Sequence, residues 1–375
     1  MIFMIIKTWQ ELINEIKQAD GDIYVAGAGN IGRIFGDYLN KNKIEWKGFL
    51  DKRAIEGAVC EKSVYPYEII LQNENAYVIV SSQIYSKEIC EKLKTLGLRD
   101  RNIFSFEKDD ISIAFDLLNE TCHVYDILER LNVFKDKHED RRGFVIGNGP
   151  SLKIDDLEKL RDEITFGCNG VYALYDHTKW RPTYYVTQDA TSIKALKRED
   201  VRQKVRESEA IFTNLFSYYY INDYGDKLDN VYFYKNKQGV DEIRLRANFS
   251  DDISQLIYNA GTISYVMLQL AIYMGIKEIY LLGIDFSFSA DKKLNGEIVK
   301  QDVIDHNEII EKEEAKNYSL HKKLFNAKYM ANTEYQLMGY QAAKRYADAH
   351  GIKIYNATRG GKLEVFPRVD FDTLF

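Results

Sequence analysis

Along the first hundred residues, apolar runs of strand length alternate with stretches whose apolar positions recur at helical spacing. "DIYVAGAGN" reads as a strand leading into Gly27, Gly29 and Gly32, and "IGRIFGDYLNKN" continues as an amphipathic helix. "IEWKGFLD" is a second strand ending at Asp51, and "AYVIVSS" a third, followed by the helix "SKEICEKLKTLG". This alternation predicts half of a doubly wound α/β fold. From Glu107 to Arg142 the pattern turns helical and charged ("DLLNETCHVYDILERL", then "KDKHEDRR"), which predicts a Rossmann-like module over 1–107, a helical connector over 108–140 and a second α/β domain over 141–375.

The second domain opens with "GFVIGNGPS" and keeps alternating. "ITFGCN", "TYYVTQD", "AIFTN" and "VYFY" read as strands, with the helix "SIKALKREDVRQKV" among them. "AGTISYVMLQLAIYMG" is apolar nearly all round, opened by Gly261 and Thr262 and closed by Gly275, so it predicts a helix buried against the sheet, feeding the strand "EIYLLGIDFSF". A charged helical region from Asp302 to Lys328, the helix "NTEYQLMGYQAAKRYADAHG" and a final strand in "KIYNATRGGKLEVF" complete the chain. No tandem repeat or low-complexity tract interrupts it.

Composition narrows the function classes. The 375 residues, 45% hydrophobic and 29% charged, suffice for more than one core. A formal net charge of -6 offers no general attraction for polyanions, which argues against nucleic acid as the partner and for a small substrate. "MIFMII" is too short for a signal segment and no run approaches ~20 apolar residues, so a cytoplasmic protein without a transmembrane segment is expected, with peripheral membrane association left open. The four cysteines, Cys60, Cys90, Cys122 and Cys168, form no CxxC pair and are expected to be reduced and mostly buried. Tyrosine is abundant (27) and proline scarce (4), a bias compatible with an AT-rich genome as much as with function. In the connector, Phe115, Leu118, Cys122, Tyr125, Leu128 and Leu131 recur at near-helical spacing, which predicts a homo-oligomer contact or docking of this stripe on its own domain.

Two strand-to-helix turns are candidates for phosphate chemistry. The first is GxGxxG (Gly27, Gly29, Gly32), with Asp51 lying 19 positions past Gly32, where a ribose-binding acid is expected; the same glycines also serve plain helix–strand packing. The second, "GNGPSL", sets the Asn148 amide between Gly147 and Gly149, stiffens the turn with Pro150 and puts Ser151 where a helix N-cap is expected. Asn169, Asp189 and Asp285 follow at strand ends, predicted to face the crevice at the carboxyl edge of the sheet. Arg359, beside Gly360 and Gly361, is either a grip for phosphate or carboxylate or part of a glycine turn. "DFD", Asp370 to Asp372, reads as a tail or cap, and no metal-ligand set stands out.

"FVIGNGPSL", "FGCN", "AGTISYVMLQLAIYMGIKEIYLLGIDFSF" and "GIKIYNATRGGKLEVFPRVDF" together resemble the MptE-like 6-hydroxymethylpterin diphosphokinase family, which includes bacterial motility accessory factors. The same landmarks are similar to the bacterial sialyltransferases of glycosyltransferase family 42. The resemblance spans roughly 141–375 and implies a sialyltransferase-like α/β domain in which Asn148 and Asn169 contact a cytidine nucleotide and Gly261 and Thr262 approach it. Where those transferases carry an arginine, a tyrosine and a base histidine, this chain has Asn259, Ser287 and, near the third position, Tyr329; His306 and His321 are the candidate substitutes for the base. The implied function is transfer of a CMP-activated acidic sugar to a glycan or protein acceptor in bacterial surface glycan assembly or protein glycosylation, with no cofactor required. Two alternatives are an ATP-dependent pterin diphosphokinase, with magnesium held by Asp189 and Asp285, and a non-catalytic scaffold that binds nucleotide sugars.

Overall fold

Short runs of Ile, Val, Phe and Tyr build the two larger sheets, in each of which every strand pair is parallel. The computed structural model describes residues 4–6, 8–52, 59–73, 75–82, 85–106, 112–222, 228–322 and 330–375. The chain divides into two compact units, Met1–Ile127 with Phe216–Gly225, and Leu128–Leu215 with Asp226–Phe375. A mixed α/β fold with parallel sheets flanked by helices is what the alternating pattern calls for.

In the first unit the strands lie in the order Met4–Ile6, Ile103–Phe106, Tyr77–Val80, Ile23–Ala26, Gly48–Leu50, Ser63–Tyr65. Ile23–Ala26 is buried along its whole length, as expected of a strand covered on both faces. The helix Asn30–Lys41 turns Ile34, Phe35, Tyr38 and Leu39 inward, and Gly36 lets Trp46 and Phe49 come close. The segment Phe216–Gly225, far away in sequence, belongs to this unit. Its Tyr219 hydroxyl donates to the Asp37 carboxylate at 2.6 Å and lies 2.8 Å from both Thr121 Oγ1 and Cys122 Sγ.

The second unit holds seven strands in the order Val231–Tyr234, Ala210–Asn214, Tyr184–Thr187, Ile164–Cys168, Arg142–Ile146, Glu278–Leu282, Lys353–Asn356. The chain lays its first five strands outward from Arg142–Ile146 to one side, then returns to the other side with Glu278–Leu282. The order therefore reverses between these two strands, which is where open α/β sheets bind ligands. The helix Ile263–Tyr273 is buried from Ser264 to Tyr273, matching its apolar circumference. Its C-terminal carbonyls are met by the charged linker, through Asp136 N–H to Tyr273 O at 3.1 Å and His138 N–H to Met274 O at 2.7 Å. Two buried tyrosines of this unit tie off their hydroxyls: Tyr185 donates to Asn169 O at 2.8 Å and Tyr234 to Gln188 Oε1 at 3.2 Å.

Within residues 108–140 the described part is helical in short pieces. The helices Ser112–Cys122 and Val124–Glu129 are separated by His123 at φ 50, and the division between units falls at Ile127–Leu128. Leu118 and Leu131 of the apolar stripe are fully buried in the chain's own units, while Tyr125 is 77% exposed. Leu118 and Leu131 thus pack within these units, and the Phe115 side chain lies outside the described residues. All four cysteines are free; Cys90 and Cys168 are buried, Cys60 and Cys122 half-buried. Among the described residues no helix is long and apolar enough to cross a membrane.

Tyr219→Phe removes the hydroxyl shared among Asp37, Thr121 and Cys122 and leaves partly buried acceptors without it. The variant should lose about 1–3 kcal/mol of stability in the first unit. Urea unfolding followed by hydrogen exchange on Asn30–Lys41 measures this, and unchanged protection there would refute it.

Candidate functional site

Two loops meet at the point where the strand order reverses: Gly147–Leu152, after Arg142–Ile146, and Gly283–Ser289, after Glu278–Leu282. Gly147 N–H donates to Leu282 O and Gly149 N–H to Gly283 O, both at 2.8 Å. A Cβ on Gly147 would stand 2.4 Å from Gly283 O, and one on Gly149 only 1.9 Å from Asp285 Oδ2. These glycines are therefore required by the close approach of one loop to the other.

That approach delivers Asp285 onto the turn. Its Oδ2 accepts from Ser151 Oγ at 2.8 Å and from Ser151 N–H at 3.4 Å. Burial pushes the Asp285 carboxyl above the usual carboxylate range, with the Ser151 hydrogen bonds pulling the other way. Two expectations change here. Ser151 is not an N-cap, because the following helix spans Ile154–Lys159 with Lys153 at its cap and has only six residues. The amides of Gly149 and Ser151 are engaged by Gly283 and Asp285, so they do not form an open phosphate seat in this arrangement.

Asn148 lies deeper, 8% exposed, and its Nδ2 donates to Cys168 O at 3.1 Å. That bond fixes the amide orientation, since the reverse would set oxygen against carbonyl. Its Oδ1 then remains buried without a protein partner. Asn169, one strand over, sits at φ 46, a region asparagine tolerates, and its Oδ1 accepts from Thr187 Oγ1 at 3.3 Å. Phe286, directly after Asp285, is at φ 54, where a bulky side chain is strained. Left-handed residues thus flank the crevice on two strand ends.

A strap over residues 305–307 laces both loops. Asn307 N–H donates to Asn148 O at 2.7 Å and its Nδ2 to Leu152 O at 2.9 Å, while the Asp305 carboxylate receives the amide and hydroxyl of Ser289. This fixes His306 beside the crevice, with Nδ1 2.8 Å from Glu314 Oε2. Glu314 belongs to the helix Glu308–Lys322, which lies close enough to Gly170 that a Cβ there would be 2.8 Å from Glu314 Oε1. Burial disfavours the charged ring, but the Glu314 hydrogen bond and the charges of Glu314, Asp305 and Glu311 outweigh it and hold the His306 pKa above its usual value. Glu314 carried no signal in the sequence: it is eight residues from His306, which precedes the helix, so no helical spacing links them.

The other expected residues are placed elsewhere in the same unit or play structural parts. Gly261 turns at φ 71, held by Asn259 Oδ1 at 3.0 Å and Gln336 Nε2 at 3.2 Å, so Asn259 serves the turn. Thr262 Oγ1 pairs with Ser264 Oγ at 2.8 Å at the start of the buried helix. Asp189 is exposed and accepts from Ser192 N–H at 2.9 Å, capping its own helix. Its strand stands three places from the Asp285 strand, about 14 Å at sheet spacing, so the two carboxylates do not share one magnesium ion. Among the described residues no three or more His, Cys, Asp or Glu side chains gather as a metal site. Arg359 grips no open anion seat: it forms a bidentate pair with Asp156, both bonds 2.9 Å, and a second with Asp372. Asp370 caps the last turn by accepting from Asp372 N–H at 3.1 Å. The His321 side chain and Tyr329 lie outside the described residues.

Residues 116–291 match the model of the family described as 6-hydroxymethylpterin diphosphokinase MptE-like. The match includes both loops of the crevice and ends before the His306 strap. No curated protein matches the chain.

A buried acid with a raised pKa makes the fold more stable when protonated, and that contribution is lost as pH rises through its folded pKa. Asp285→Asn keeps an acceptor for Ser151 and removes the charge. It should therefore be at least as stable as the parent protein at pH 7, with the difference shrinking as pH falls below about 4. Thermal unfolding at the two pH values tests this; a clear loss of stability at pH 7 would contradict it.

Proposed function

With residues 116–291 an MptE-like domain, whose family name is that of a transferase-type enzyme, we propose that the second unit is a nucleotide-dependent glycosyltransferase using a CMP-activated acidic sugar. The observation that carries this reading is the buried, unpartnered Oδ1 of Asn148 at the strand-order reversal, an acceptor waiting for a ligand N–H or O–H. An amino group of the base or a ribose hydroxyl supplies that donor. Asn169 lies one strand away on the same edge, as the resemblance to family 42 sialyltransferases implies for the cytidine nucleotide.

The chemistry follows from the strap. His306 Nδ1 is held by Glu314, which leaves Nε2 to take the proton of the acceptor hydroxyl. The acceptor oxygen bonds to the anomeric carbon as the bond from that carbon to the nucleotide phosphate breaks, and the electron pair leaves on the phosphate. Asp285 orients a sugar hydroxyl after exchanging its Ser151 partner. The acceptor is a glycan or protein of the bacterial surface, and the work is cytoplasmic.

The family name supports a second reading, an ATP-dependent diphosphokinase. It requires a cation among the phosphates, and the Asp189–Asp285 pair does not fit one. Thermal-shift titration separates the two: CMP or CDP should stabilise the protein without magnesium, by about 2.7 kcal/mol at 100 times the Kd. Asn148→Ala should abolish that response. A shift only with ATP and magnesium favours the kinase, and silence toward every nucleotide leaves the scaffold.

Because His306 acts as a base only when neutral, turnover should fall as pH drops through its raised pKa. Glu314→Gln removes the partner that raises it and should move this limb to lower pH while reducing the rate by about 10-fold or more. A pH–rate profile with an unmoved acidic limb would remove His306 from the base role.

A further inference from the structure

Asn307 engages all four of its polar groups, and they join two separate pieces of the crevice. Its N–H donates to Asn148 O at 2.7 Å and its Nδ2 to Leu152 O at 2.9 Å, which fastens it to a loop 155 positions earlier in the chain. Its Oδ1 accepts from Ile309 N–H at 3.0 Å and its carbonyl from Glu311 N–H at 2.9 Å, which ties it to the first turn of the helix Glu308–Lys322. His306 is the residue before it, and Glu314 of that helix holds the His306 ring.

Starting a helix explains only the second pair of bonds, which serine or aspartate would make as well. It does not call for an amide donor on Leu152 O, nor for a main-chain bond to Asn148. Asn148 is the residue whose buried Oδ1 has no protein partner. The main chain of the residue that faces the ligand is thus bonded to the main chain of the residue beside the base. On the other side of His306, Asp305 receives the amide and hydroxyl of Ser289, and its own N–H donates to Glu311 Oε1 at 3.2 Å. The imidazole is carried between two anchored residues.

We infer that Asn307 is a positioning residue that holds His306 in register with the nucleotide bound at Asn148, so that filling the nucleotide seat and setting the base are coupled. The inference rests on the second unit being a nucleotide-dependent transferase with His306 as its base. Asn307 touches no reacting atom and acts through geometry. The coupling is reciprocal: what the bound nucleotide does to the strap through Asn307, the strap does to the nucleotide.

Asn307→Ser tests it in the full chain, because serine still caps the helix and keeps the main-chain bonds but is too short to reach Leu152 O. Its unfolding midpoint should stay within about 4 °C of the parent's. In the ligand-free protein, NMR titration of the His306 ring, assigned by its loss in His306→Asn, should show the pKa falling toward about 6.5, as the ring is no longer held among Glu314, Asp305 and Glu311. Hydrogen exchange over 303–315 should slow at least about threefold when CMP binds the parent protein, and the slowing should vanish in Asn307→Ser although CMP still binds. Turnover should fall at least about tenfold with the donor KM within about threefold, and the acidic limb of the pH–rate profile should move to lower pH. An unmoved His306 titration, or CMP protection of the strap that survives in Asn307→Ser, overturns the inference. Failure of the transferase assignment shows differently, as silence toward CMP in the parent protein, and the ligand-free titration then decides the positioning role alone.

Discussion

The second unit depends on one steric constraint, the backbone-to-backbone approach of the loops that follow two adjacent parallel strands. Gly147 and Gly149 donate to Leu282 and Gly283 carbonyls at a distance that leaves no room for a side chain. Asp285 is thereby laid on Ser151, and the following Phe286 is forced to φ 54. From behind, the loop after the last strand braces the same point. Gly361 comes so near that a Cβ would lie 2.9 Å from Asp285 O, Lys362 N–H donates to that oxygen at 2.8 Å, and Thr358 Oγ1 accepts from Ile284 N–H at 3.1 Å. The backbone around Asp285 is thus braced by several independent contacts, and these set its carboxylate on Ser151.

The two glycine turns in the chain look alike and answer to different causes. In the second unit Gly147 and Gly149 are crowded by the Gly283–Asp285 loop, and the amide oxygen of Asn148 between them is buried without a protein partner. In the first unit the outer two glycines are required by the fold, and a Cβ on the middle one would meet none of the described residues within 4 Å. A shared pattern of small residues therefore marks close approach in general. Whether the approaching group is another loop or a ligand depends on what the rest of the fold brings there.

Charged residues show the same division. Arg359 and Asp156 form a bidentate pair in which Asp156 is 3% exposed, and with Asp372 they fasten the end of the chain to the helix Ile154–Lys159. Asp189 does ordinary capping work. His306, from a strongly charged stretch, is held beside the crevice because four backbone and side-chain bonds fix the strap that carries it.

The alternation of strand and helix, the wholly apolar helix Ile263–Tyr273 and the strand ends bearing Asn148, Asn169 and Asp285 were legible in the sequence, because each is a local pattern of period and turn chemistry. So were the glycine turns as turns. What the sequence did not contain were the relations between distant segments: Asp285 on Ser151, Arg359 on Asp156, Glu314 behind His306, and Tyr219 reaching Asp37 across 182 positions. The connector stripe was legible as an apolar face, but helical spacing does not report what covers it. Order along a parallel sheet settles these questions. It decides which strand ends are neighbours, leaving Asp189 and Asp285 three strands apart while bringing Asn148 and Asp285 onto adjacent ones, and that spacing is a property of the assembled sheet, not of any segment in it.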